Sequence, residues 1–295
     1  MRSQKNRFDL SYPFAVEDSQ QTTYGAQTVI DHREISGTSV NGQSFSLLGG
    51  RKFTPRLALE ARVGVHRQVV LAESATALGE GALILSAAPQ CLGPGKIFAQ
   101  ASVESGAAYS QLSIPVRDDH ALHASTARGS VSVYPLDRLH VVSRASWSAL
   151  ADRNFRNQLG ADALFGVATD PLWIWLGVGA ERSHNSTATS HYWSPLVFTQ
   201  WGLRGEMTLP LSAFISETLW GARIFRSLSL GFGGSINRIK ESNFAVGSSN
   251  YTLTSLQWGD RNHANARVSY ERIRSEQNGN EWRSDAWILT GQLIF

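Results

Sequence analysis

At 295 residues the chain is long enough for one or two ordinary domains. Its formal charge of +3 is carried by scattered Arg rather than by a basic tract, which argues against nucleic acid as a partner. One cysteine, Cys91, excludes an internal disulfide and a zinc framework, and no cofactor or metal motif is present. With a mean hydropathy of −0.18, no apolar run approaches the roughly 20 residues of a spanning helix.

In chain order, Met1–Gln21 is polar, with a short strand-like stretch at Phe8–Val16 broken by Pro13. It carries Arg2, Lys5 and Arg7 but no apolar core of the kind a secretory signal needs, and it reads as a linker or lead-in. If the chain is exported, the expectation is a fragment, a misplaced start, or the C-terminal part of a longer protein with its signal upstream.

Residues 22–295 read as one β-domain. The spacing predicts strands at 22–34, 44–54, 57–70, 79–87, 95–106, 108–118, 127–135 and 139–150. They continue at 157–168, 172–184, 197–210, 214–225, 228–240, 251–260, 264–274 and 282–295. Apolar and polar residues alternate along them. Leu57, Leu59, Ala61, Val63 and Val65 alternate with Glu60, Arg62 and His66. Val197, Trp201, Leu203, Met207 and Leu209 alternate with Gln200, Arg204, Glu206 and Thr208. A soluble sandwich also alternates, but these runs have the about 9–12 residues that a tilted strand needs to cross a bilayer. The expected fold is therefore all-β: a transmembrane antiparallel up-and-down barrel of about sixteen strands, with fourteen or eighteen as alternatives.

The joints at 50–55, 135–138, 169–171 and Arg226-Ser227 are tight, whereas 35–43, 71–78, 118–126, 151–156, 185–196, 241–250 and 275–281 are longer and polar. That asymmetry is expected of a bacterial outer-membrane barrel with both termini periplasmic. Trp147, Trp193, Trp258, Trp282 and Trp287 fall near predicted strand ends, where interfacial aromatics belong.

By parity, the inward-facing set includes Glu60, Arg62, Glu104, Arg144, Asp162, Glu181, Arg204, Glu206, Arg267 and Glu271, with His66 and His140. Both signs are interspersed, which describes a hydrated lumen, internal salt bridges, or both, rather than an ion filter of one sign. Trp173 and Trp175 share the parity of Glu181 and are candidate sugar-stacking rings. Gly177-Val178-Gly179 and Gly231-Phe232-Gly233-Gly234 precede no helical pattern, so a dinucleotide loop is excluded. His184 and Ser186 could pair as base and nucleophile but have no obvious acidic orienter. No enzymatic activity is expected.

The chain ends on Trp287, Leu289, Gly291, Leu293 and Phe295, one apolar face of a final strand. This resembles the C-terminal signal of outer-membrane barrels and implies recognition by the barrel-assembly machinery. Further upstream, His191-Tyr192-Trp193-Ser194-Pro195 leads into the strand at 197–210, and Ile114-Pro115-Val116-Arg117-Asp118-Asp119 lies about 80 residues earlier. These segments resemble elements of exopolysaccharide-secretion barrels, the C-terminal domains of the cellulose-export subunit and of poly-N-acetylglucosamine porins. The resemblance lies in Tyr192, Trp193, Ser194 and Pro195, and departs where Ser186–Ser190 replaces a Gly-rich run and Ile114 replaces Arg. It implies a sixteen-stranded outer-membrane pore for an exported polysaccharide, preceded by periplasmic tetratricopeptide repeats and served by an inner-membrane synthase. The alternatives are a general or substrate-specific porin and a plugged structural or adhesion barrel.

Overall fold

The computed structural model describes residues 22–35, 38–54, 56–70, 76–90, 95–107, 122–169, 172–189, 194–211, 228–242, 244–259, 264–277 and 280–294. They form fourteen strands: β1 (Thr22–Ile35), β2 (Thr38–Thr54), β3 (Leu57–Val70), β4 (Thr76–Gln90), β5 (Lys96–Ala107), β6 (His123–Leu136) and β7 (Leu139–Leu150). The second half adds β8 (Phe155–Thr169), β9 (Trp173–Asn185), β10 (Val197–Pro210), β11 (Ser229–Glu241), β12 (Gly247–Gly259), β13 (Ala264–Gln277) and β14 (Asn280–Ile294). Each strand pairs antiparallel with its sequence neighbours, and β1 pairs with β14, so the sheet closes without an edge. Closure satisfies the backbone of every strand within the sheet, which a spanning β-structure requires in lipid.

The fourteen-stranded alternative replaces the sixteen-stranded expectation. The two surplus strands, at 108–118 and 214–225, lie outside the described residues. Because β5 pairs directly with β6 and β10 with β11, the ring closes without them. Two expected long connections are also corrected. Residues 38–43 belong to β2, and 275–277 and 280–281 belong to the β13–β14 hairpin. Tight joints therefore occur at both ends of the barrel. Met1–Gln21, Ile114–Asp119, His191–Trp193 and Phe295 lie outside the described residues.

Alternation sorts the side chains. Val63, Val103, Leu159, Val178, Leu203 and Ile236 are among the most exposed large hydrophobic residues described, each between 57% and 66% accessible. A belt of such residues is stable only against an apolar solvent. Outward aromatics flank it. Tyr24, Phe53, Phe165 and Trp258 lie toward the end that bears the termini, with Trp147, Phe155, Trp201 and Trp287 toward the opposite end. Trp282 breaks the sequence expectation, because its register opposite the buried Ser275 puts it on the inner face.

Beyond the second aromatic tier, the β13–β14 hairpin continues with charge on its outer face. Arg272 donates to Asp285 at 2.7 Å, Arg283 to Asp285 at 2.6 Å, and Arg274 pairs with Glu281 at 3.0 Å. These residues project past the lipid, where outward charge carries little cost.

Candidate functional site

The inner wall is the candidate site. Its centre is built on β7, β8 and β10. Asp162 on β8 is almost fully buried and accepts from Arg144 Nη2 on β7, and from Arg204 Nε on β10 at 3.1 Å. Two guanidinium groups on one carboxylate make a charge-assisted hub that holds three strands in register. Glu206 follows Arg204 on the same face, opposite Trp175 on β9 and Gly233 on β11.

Gly179 makes this hub possible. It lies on β9, opposite Asp162 and between the two strands whose side chains meet, and a Cβ there would overlap the Asp162 carboxylate and crowd the Arg204 guanidinium. The glycine is thus a window rather than a ligand loop. Elsewhere the wall holds smaller polar links. Ser46 donates to Glu80 at 2.5 Å, Ser102 to Glu104 at 3.0 Å, and Thr126 to Ser148 at 3.1 Å. Arg128 lies 3.7 Å from Glu104, and Arg62 reaches Gln27 at 3.5 Å.

An aromatic arc lines the end nearer the termini. Phe98 meets Tyr134 edge-on with centroids 6.1 Å apart, and Tyr134 stacks on His140 at 4.2 Å. His140 in turn meets Trp175 edge-on at 6.2 Å. Phe98 and Tyr134 were missed by sequence reasoning. Their signal was present, because each shares the parity of neighbouring Ser or Gln residues.

The structure brings Arg144, Asp162, Arg204, Glu206 and Trp175 onto one stretch of wall. Glu181 faces inward from β9 beside Gln200, nearer the opposite end. Trp173 shares the Trp175 face by register with Thr208 but is half-exposed at the rim. Glu60 and Arg62 line β3, and Arg267 and Glu271 line β13, so these four do not join the central hub. Trp287, Leu289 and Leu293 point outward, the Trp in the aromatic tier that flanks the apolar belt. Of the motif before β10, Ser194 is buried and accepts from the Thr189 N–H at 2.8 Å, and the Pro195 carbonyl accepts from Asn185 at 2.6 Å.

A hydrolytic pair at His184 and Ser186 is not assembled. His184 sits on the outer face opposite Val197, whereas Ser186 donates to Asn154 Oδ1 at 2.8 Å. Among the described residues, no group of His, Cys, Asp and Glu is disposed to hold a metal.

No family model matches the chain, and no curated protein matches it. Solved structures do. The chain is similar to a bacterial polysaccharide outer membrane secretin, with a TM-score of 0.58 and 10% identity over 95% of this chain and 100% of that one. It is also similar to the CymD monoaromatic hydrocarbon channel, with a TM-score of 0.50 and 8% identity over 94% of this chain and 89% of that one. At such identities the likeness is one of fold. The fold is that of outer-membrane channel barrels.

Proposed function

We propose that the chain forms an outer-membrane pore whose hydrated lumen conducts an exported polysaccharide. The observation that carries this reading is the chemistry of the inner wall. It presents hydroxyls, amides and charges of both signs around the ring, and Arg144 and Arg204 are engaged by the Asp162 carboxylate rather than left open to the lumen. A neutral or weakly charged glycan meets many weak hydrogen-bonding partners on such a surface and no deep electrostatic trap, which is what passage requires. Buried polar atoms such as Gln200 Nε2 and Glu271 Oε2 have no protein hydrogen-bond partner, and lumen water would satisfy them. The likeness to a polysaccharide secretin supports the same reading at the level of fold.

The mechanism is passive. Trp175 and the rings beside it offer apolar surface against which a sugar face packs, near the end that holds the termini. With both termini periplasmic, that end receives the polymer from an inner-membrane synthase, through periplasmic tetratricopeptide repeats if these precede the barrel. Insertion itself would depend on the barrel-assembly machinery.

Liposome swelling tests the reading. Vesicles carrying the refolded barrel are challenged with β-linked glucan oligosaccharides of increasing length and with small amino acids. Permeation of the longer oligosaccharides is expected. Permeation of small solutes alone, with a sharp size limit, would favour a general porin. No permeation through a folded barrel would indicate a plugged structural protein.

A further inference from the structure

Among the cations of the outer face, two groups differ in one respect. On β13 and β14, Arg272, Arg274 and Arg283 each face a carboxylate on the same surface. On β9 and β11, Arg182, His184, Arg238 and Lys240 are exposed and outward, and no described acid lies outward on an adjacent strand; the outward acid in register with Arg238 is Glu276, two strands away beyond Ser248. The outward positions described on β8 to β12 contain no Asp or Glu.

Register gathers these residues into one patch. Thr199 on β10 lies opposite Arg182 on one side and Lys240 on the other, so the two cations are two strand spacings apart, roughly 10 Å at the backbone. Trp201, one pair deeper, lies opposite Ala180 and Arg238. Below it the apolar belt resumes at Leu203, Val178 and Ile236. The patch thus sits where headgroups meet acyl chains, at the end of the barrel opposite the termini.

We propose that this patch binds the phosphate groups of a phosphorylated glycolipid of the outer leaflet, the lipid A class. Two long cationic side chains flanking a threonine hydroxyl fit a phosphate by charge and by hydrogen bonding. The apolar surface beneath accepts acyl chains, and among the described residues Arg182 and Lys240 have no outward carboxylate on β8 to β12, which leaves a counter-charge to come from the lipid. The assignment rests on the outer-membrane reading with periplasmic termini, and not on what the lumen conducts.

The test uses the full chain refolded in detergent, with binding followed by microscale thermophoresis. Three probes are titrated: bis-phosphorylated lipid A, its dephosphorylated form, and phosphatidylglycerol. The R182Q/R238Q/K240Q variant is expected to bind lipid A at least tenfold more weakly, with a shallower dependence on salt. R274Q/R283Q, which alters the paired cations, is expected to change binding less than twofold. Dephosphorylated lipid A should bind the native chain no better than lipid A binds the triple variant. Heat-modifiable electrophoretic mobility confirms that each variant is folded. Equal lipid A binding by native and triple-variant chains would overturn the proposal. So would phosphatidylglycerol binding as tightly as lipid A, since the patch would then read a phospholipid. Unchanged conductance in a triple variant that has lost lipid binding would separate this site from the pore.

Discussion

Asp162 and Arg204 are held 3.1 Å apart although a whole strand lies between them, because Gly179 on that strand has no side chain to intervene. The pair, completed by Arg144, ties β7, β8 and β10 together across the lumen wall. Asp162 and Arg204 are both buried, and removing one member tests how far the wall depends on the pair.

The Asp162→Asn substitution removes the carboxylate charge to which the buried Arg204 donates. Breaking a buried pair this way costs about 3–5 kcal/mol. Urea unfolding of the barrel in lipid vesicles, followed by tryptophan fluorescence, should show a loss of this order. D162N/R204Q should recover part of it, and a loss below about 1 kcal/mol in D162N would mean that water already screens the site.

Gly179→Ala removes no charge yet should also destabilise, by about 1–3 kcal/mol, because its methyl would displace the carboxylate. Gly129→Ala is the control, since nothing lies within 4 Å of a Cβ there. Equal stability of the two variants in the same urea series would contradict the window role.

Depth should govern the cost of outward charge. Leu203→Arg lies in the apolar belt and is expected to lose about 2–4 kcal/mol, whereas Ser248→Arg, near the rim, should lose about 0–1 kcal/mol. A similar cost at both positions would argue that the outer face does not meet a bilayer.

Deleting Phe295 separates assembly from stability. Several-fold less folded barrel should reach the outer membrane of expressing cells, as measured by heat-modifiable mobility. The refolded protein should keep its urea stability to within about 0.5 kcal/mol. Normal assembly without Phe295 would remove it from the signal.

Much of the barrel was legible because alternation of period two states which face each residue takes. Leu203 against Arg204, and Val63 against Arg62, needed no further information. The strand count was not legible in the same way. Segments 108–118 and 214–225 read as strands, the first despite broken alternation and Pro115, but membership of the ring is decided by pairing, and β5 finds β6 without them. Conversely, 38–43 and 275–281 read as loops because strands that rise past the lipid are polar outside as well as inside. Asn41, Gln43, Arg274 and Glu281 are outward yet need no apolar solvent.

The candidate site was legible in membership and not in partnership. Parity put Arg144, Asp162 and Arg204 in the lumen, but their meeting depends on the β8–β9–β10 register and on the glycine between them. The Tyr134–His140 stack follows an irregularity between Val133 and Leu136 where β6 turns into β7, and no sequence spacing reports it.

The most direct measurement is the conductance of the refolded barrel in a planar lipid bilayer, with and without β-linked glucan oligosaccharides. Steady, ohmic channels that the oligosaccharides interrupt in a length-dependent manner are expected. Trp175→Ala should shorten those interruptions several-fold while leaving the open conductance unchanged or slightly larger. Steady channels indifferent to the sugars would contradict the glycan-pore reading, and a folded barrel without conductance would contradict the pore itself.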